Sequence, residues 1–66
     1  MQAITKALAH RKGFTLASGP RPNDYRLVDE GTRLPEFNPA NGTFIFSLAE
    51  ATTFLEPLHD RYFELG

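Results

Sequence analysis

The sequence contains no cysteine and no tryptophan, and it has one methionine among its 66 residues. Without cysteine, neither disulfide bonds nor thiolate-bound zinc can stabilise so short a chain. His10 and His59 are the only histidines, and no cluster of further ligands accompanies them at a suitable spacing. We therefore expect no metal and no cofactor, so that an apolar core must hold the fold together.

Neither sign of charge dominates, since seven Lys and Arg stand against eight Asp and Glu and the formal net charge is −1. A dedicated nucleic-acid-binding protein usually has a basic excess. No apolar run approaches the roughly 18 residues that a membrane span needs, and the first residues lack the pattern of a secretory signal. The composition therefore predicts a soluble, cytoplasmic protein that does not bind membranes, folded as one domain over residues 1–66.

The first half of the chain predicts a helix followed by a β-hairpin. Residues 2–12 place Ile4, Ala7 and Leu8 on one helical face, and Gly13 is suited to the position just after a helix end. Residues 14–17 and 25–28 alternate as strands do, and the prolines of the loop 18–23 separate them. These two segments are expected to pair in antiparallel fashion.

The second half predicts further strands and a capped helix. Residues 43–46 follow a tight-turn dipeptide and indicate a third strand, whereas residues 33–37, which contain Pro35, are either an edge strand or irregular. Ser47 and Glu50 match a capping box at the start of a helix, which Pro57 either ends or kinks. If the helix ends there, residues 57–66 allow a second short helix that starts at Pro57.

The expected fold class is α+β, with an N-terminal helix, a three- or four-stranded antiparallel sheet, and a capped C-terminal helix packed on one sheet face. Because the chain is short and has no covalent or metal cross-link, its aromatic rings are predicted to form the core. The expected core residues are Leu8, Phe14, Leu16, Tyr25, Leu27, Phe44, Phe46, Leu48, Phe54 and Leu55.

The sequence gives little support for catalysis. It contains no nucleophile elbow, no phosphate-binding loop and no dinucleotide-binding glycine pattern. Asp29 and Glu30 are adjacent carboxylates, but they fall in a predicted turn. We therefore expect a small non-enzymatic protein-interaction or regulatory module, such as an accessory subunit or an inhibitor.

Two segments are candidates for the partner-binding surface. Arg21 lies between two prolines in the loop 18–23, where a stiff segment presents its side chain. Tyr62 and Phe63 follow Arg61 and belong to the residue types enriched at interface hot spots. We expect them to contact a protein partner or a second copy of the chain; the alternative is that they pack on the monomer core.

Nucleic-acid binding is the alternative function. Four cations, Arg11, Lys12, Arg21 and Arg26, would form one basic patch if the end of the first helix, the proline loop and the second strand face the same way. A local patch of this kind can bind phosphates even on a nearly neutral protein.

Overall fold

The computed structural model describes residues 2–61 and confirms an α+β fold. Helix α1 (Gln2–Arg11) is followed by strands β1 (Phe14–Ser18) and β2 (Tyr25–Asp29) and by helix α2 (Leu48–Leu55). Within these residues, no helix has both the length and the apolar character needed to cross a membrane.

Helix α1 confirms the predicted N-terminal helix, and small side chains form the centre of its buried face. Gly13 follows the helix with φ 88°, the left-handed conformation expected at this position. The buried side chains are Thr5 and Ala9, whereas Ile4 is 70% exposed. Thr5 contacts Thr52 of α2, with 3.2 Å between their hydroxyl oxygens. These small residues let the two helices approach closely. Of the residues on the predicted apolar face, Leu8 is partly buried against the core, whereas Ile4 stays exposed.

The hairpin of β1 and β2 is confirmed. The strands pair in antiparallel register, from Phe14 opposite Asp29 to Ser18 opposite Tyr25. Register partners share a face of the sheet. The inner face carries Leu16 and Leu27 of the core, and the outer face carries the more exposed alternate residues.

The prediction of three or four strands is wrong, because the sheet has only two strands within residues 2–61. The segments expected to be strands make single bridges to the free edge of β2, from Pro35 to Val28 and from Phe46 to Tyr25. Pro35 has no N–H to continue a ladder. Beyond it, side chains of asparagine and threonine bind the backbone of residues 38–45, and such local bonds compete with strand pairing.

Helix α2 begins with the predicted capping box. The Ser47 hydroxyl accepts a hydrogen bond from the Glu50 N–H, and the Glu50 carboxylate accepts one from the Ser47 N–H. The helix ends at Leu55, two residues before Pro57, so the proline follows a helix end and does not kink the helix. Residues 57–61 are not helical, and the remainder of the expected second helix lies outside the described residues.

The core lies between the inner face of the hairpin and the two helices. Phe46, Leu27 and Leu55 are the largest side chains that are fully buried. Phe54 is partly buried and packs against the core, with its ring edge-on to Phe46 at 5.5 Å between centroids. Phe44, by contrast, is 48% exposed. Its assignment to the core is wrong, because residues 43–46 do not form the strand that would have turned its ring inward.

Candidate protein-binding site

Two phenylalanines lie against each other on the surface and form the aromatic pair, Phe37 and Phe44. Their ring centroids are 5.7 Å apart, and the rings meet edge to face at 81°. Phe37 is 50% exposed and Phe44 is 48% exposed. The pair therefore satisfies the preferred aromatic geometry while about half of each ring remains in contact with water.

The aromatic pair flanks a short turn that brings the two rings together. Asn38 and Thr43 form an antiparallel bridge, and the Asn38 N–H donates to the Thr43 carbonyl at 2.7 Å. Gly42 closes the turn with φ 71°, and its N–H donates to the Asn38 carbonyl. Phe37 and Phe44 are the next residues outward along the two arms, so the turn places their side chains opposite each other.

Asn38 fixes this turn to the body of the protein. Its side chain is 2% exposed, and its Nδ2 donates to the Ile45 carbonyl at 2.9 Å and to Glu50 Oε1 at 3.2 Å. Its Oδ1 accepts from the Ala40 N–H. Glu50 also belongs to the capping box of α2. The base of the aromatic pair is therefore tied directly to the start of a packed helix.

Of the three predicted partner-binding residues, only Arg21 lies within the described residues. Arg21 is exposed in the loop between β1 and β2, where its carbonyl accepts from the Asp24 N–H. Tyr62 and Phe63 lie outside the described residues. Arg21 precedes β2 in the chain, whereas the aromatic pair follows it, and no cation–π contact joins Arg21 to either ring within residues 2–61.

The cations predicted as a nucleic-acid patch have different environments. Lys12 is 6% exposed; its Nζ lies 2.6 Å from Asp60 Oδ1 and donates to the Leu58 carbonyl. Arg11 is more exposed and binds the other oxygen of Asp60 at 3.2 Å. These contacts lower the pKa of Asp60, with the Lys12 hydrogen bond as the main cause. Arg21 and Arg26 are exposed, and neither has an ion pair within residues 2–61.

An ion pair between Arg61 and Asp29 joins the end of the described chain to the hairpin. Arg61 binds both carboxylate oxygens of Asp29, at 3.2 and 2.8 Å. The pKa of Asp29 is held far below its ordinary value, chiefly by the hydrogen bond from Arg61 and then by the N–H groups of Thr32 and Gly31. The Arg61 side chain crosses so close to Gly13 that a Cβ there would clash with it. Asp29 therefore has a structural role in this arrangement.

A groove with a volume of about 580 Å³ lies between α1 and α2. Its walls include Ile4, Leu8 and Thr52, and Arg11 and Glu56 also line it. The groove is open to solvent and mostly apolar. No group of three or more histidine or acidic side chains is placed to hold a metal ion in the described part of the chain.

The aromatic pair was missed by sequence reasoning, which placed Phe44 in the core and left Phe37 in an ambiguous segment. A signal for it was present, because Phe37 and Phe44 stand on either side of the turn dipeptide Asn41-Gly42. Comparisons of the chain with protein-family models, with curated proteins and with solved structures find no match.

Proposed function

We propose that the protein is a non-enzymatic protein-binding module whose contact surface is centred on the aromatic pair. The observation that supports this proposal is the exposure of two large aromatic rings on a rigid turn, in a chain that has few large apolar side chains. Burying an aromatic side chain contributes about 1.5–3 kcal/mol. The chain leaves much of this stabilisation unused at Phe37 and Phe44, as expected for a surface that is covered in a complex.

The rigidity of the turn favours the same function. Ordering an interface side chain on binding costs about 0.5–1.5 kcal/mol. The bridge from Asn38 to Thr43 and the bonds from Asn38 to Glu50 already hold the turn in place. The partner we propose is a protein that offers an apolar pocket to the two rings, because aromatic side chains in such pockets are typical interface hot spots.

The charge distribution favours a protein over a nucleic acid. Arg11 and Lys12 both contact Asp60, whose single negative charge offsets one of their two positive charges. Glu50 lies below the turn that carries the aromatic pair. Nucleic-acid binding depends on cations that can neutralise phosphates. Only Arg21 and Arg26 of the four predicted cations are exposed without an ion pair within residues 2–61.

The test is a comparison of three baits in an affinity capture from the native host. The baits are the unchanged protein, a double variant with Phe37→Ser and Phe44→Ser, and the control variant Ile4→Ser. Ile4 is 70% exposed on α1, so its replacement removes a similar exposed apolar side chain from another surface. Each bait is first shown by circular dichroism to keep the same fold.

We expect the unchanged protein and Ile4→Ser to recover the same protein partner, and the double variant to lose it. A purified partner should then bind the double variant at least about tenfold more weakly, since each hot-spot residue contributes about 2 kcal/mol or more. Equal recovery by all three baits would overturn the role of the aromatic pair. Recovery of nucleic acid that salt releases would favour the alternative function.

A further inference from the structure

Strand β1 has an edge that no strand covers. The N–H of Glu30 donates to the carbonyl of Gly13, and the N–H of Gly19 donates to the carbonyl of Asp24. Since hydrogen-bonded pairs alternate along an antiparallel ladder, Thr15 and Ala17 also bond to β2. The N–H and carbonyl groups of the three remaining residues of β1 point away from β2; these are Phe14, Leu16 and Ser18.

The two edges of the hairpin differ in how they are protected. The edge of β2 that faces away from β1 is covered by backbone hydrogen bonds with Phe46, Leu34 and Glu36. At the β1 edge, no hydrogen bond from residues 2–61 reaches the outward groups of the strand. The sequence of β1, FTLAS, contains no charge and no proline. Charged residues, proline and bulges are the usual means of preventing edge strands from pairing, and β1 has none of them.

We propose that two copies of the chain pair through β1 and form a continuous four-stranded antiparallel sheet. This inference does not depend on the aromatic pair. The pair comes after Glu36 in the chain, and Glu36 binds the other edge of the hairpin, at β2. A two-fold axis at Leu16 places Leu16 opposite Leu16 of the partner subunit, and Phe14 opposite Ser18 of the partner subunit. Ser18 then lies opposite Phe14 of the partner subunit as the third pair, and the three pairs satisfy every outward N–H and carbonyl group of both strands.

The side chains beside this edge suit a second copy. On the outer face, Ala17 faces Thr15 of the partner subunit, so no like charges meet between the two strands. Arg26 of β2 lies opposite Ala17 of β1 in the strand register and has no ion pair within residues 2–61. Glu30 contacts Thr15, with 3.2 Å between Oε2 and the threonine Oγ1. Across two strand spacings, about 10 Å, the long Arg26 side chain reaches over the small Ala17 toward Glu30 of the partner subunit.

Two charged side chains of α1 border the edge without closing it. Lys6 and His10 line a hollow of about 100 Å³ beside Phe14 and Leu16. Lys6 is exposed and can turn into solvent when a strand approaches. The His10 side chain is 73% exposed, and its Nδ1 lies 3.5 Å from Glu30 Oε2, which keeps the imidazole beside Glu30. A five-residue edge gives an interface smaller than the standard size of about 1,600 Å². The dimer is therefore expected to depend on protein concentration.

The backbone test uses Ser18→Pro. The Ser18 N–H points away from β2, so proline removes a donor from the open edge and leaves the β1–β2 ladder intact. In sedimentation experiments over a concentration series, we expect the unchanged protein and Ser18→Ala to dimerise. Ser18→Pro should raise the dimer dissociation constant about tenfold or more, because two intersubunit hydrogen bonds are lost. A constant monomer mass up to the highest soluble concentration would overturn the proposal.

The charge test uses Arg26→Glu and Glu30→Lys. Each variant alone places like charges in contact across the axis and is expected to be monomeric. In a mixed dimer of one subunit of each variant, position 26 of each subunit again faces an opposite charge at position 30 of the other. A mixture of the two variants should therefore dimerise. If the mixture stays monomeric while the unchanged protein dimerises, the assigned strand register is wrong.

Amide hydrogen exchange separates the proposed dimer from a monomer whose edge is covered by residues 62–66. Protection of Leu16 and Ser18 should rise with concentration, while Thr15 and Ala17 stay protected throughout. Protection of Leu16 that is independent of concentration and lost on removal of residues 62–66 would overturn the proposal in favour of the intramolecular contact.

Discussion

Asn38 Nδ2 donates a hydrogen bond to Glu50 Oε1 at 3.2 Å, and this contact joins the turn that carries the aromatic pair to the cap of α2. The same nitrogen donates to the Ile45 carbonyl, and Asn38 Oδ1 accepts from the Ala40 N–H. One buried amide therefore satisfies backbone groups of the turn and orients a carboxylate that caps a helix. The surface proposed to bind a partner depends on a polar side chain that is itself 2% exposed.

Replacement of this amide is expected to destabilise the whole protein. Asn38→Ala leaves the Ala40 N–H without its acceptor and removes a donor from Glu50, at a cost of about 1–3 kcal/mol in the free energy of unfolding. Urea denaturation followed by circular dichroism measures this change. Asn23→Ala is the control, because Asn23 is exposed in the hairpin loop and its replacement should change stability by less than about 0.5 kcal/mol. Equal stability of the two variants would contradict the role given to Asn38.

The two phenylalanines of the segment 44–46 should respond differently to truncation. Phe46 is fully buried, so Phe46→Ala should cost about 3–5 kcal/mol. Phe44→Ala should cost about 1 kcal/mol or less, because Phe44 is already 48% exposed and its ring meets Phe37 in an edge-to-face contact. Thermal unfolding of both variants at equal protein concentration checks the difference. Comparable losses of stability would mean that Phe44 is a core residue after all.

This contrast marks the limit of what the sequence could predict. The helix ends and the hairpin follow from local signals, such as Gly13 and the Ser47 capping box, and the structure confirms them. The position of Phe44 depended on a strand at residues 43–46. Whether that strand forms is decided by competition between a ladder and side-chain bonds to the backbone. Asn38 and Asn41 provide those bonds, and their geometry exists only once the turn has formed.

The buried face of α1 was unpredictable for a similar reason. The apolar spacing favours Ile4 and Leu8, but the close contact with α2 requires small side chains at Thr5 and Ala9. That requirement depends on where α2 packs, which is a tertiary property. The aromatic pair was missed because Phe44 was assigned to the inner face of a strand that does not form, and Phe37 lies in a segment that the sequence left ambiguous.

Lys12 and Arg11 should differ in their contribution to stability, although they are adjacent and share Asp60. Lys12→Met removes a buried donor from the Leu58 carbonyl and from Asp60, and we expect a loss of about 1–3 kcal/mol. Arg11→Met removes a largely exposed ion pair, which contributes about 0–1 kcal/mol. Chemical denaturation of the two variants measures the difference. A larger loss for Arg11→Met would contradict the burial of Lys12.

The pairing of Asp29 with Arg61 predicts a loss of stability in acid. A carboxyl whose pKa is lower in the folded protein than in the unfolded chain stabilises the fold above its unfolded value, and this contribution is lost as the pH falls toward the folded value. The pKa of Asp29 is lowered far below its ordinary value of 3.8, so its contribution is complete at neutral pH and declines as the pH falls below about 4. The pKa of Asp60, which Lys12 binds, is also lowered, so its contribution to stability declines in acid in the same way.

Asp29→Asn isolates this contribution. The amide oxygen can still accept from the N–H groups of Gly31 and Thr32, while the charge that binds Arg61 is lost. The variant should be less stable than the unchanged protein at pH 7, and the difference should narrow between pH 4 and pH 2, because the Asp29 carboxyl becomes protonated in the unfolded chain while it stays ionised in the folded protein. Urea midpoints across this range measure the difference. If it stays constant down to pH 2, the Asp29 carboxyl does not stabilise the fold through its charge, and Arg61 does not hold the hairpin in the way its two hydrogen bonds indicate.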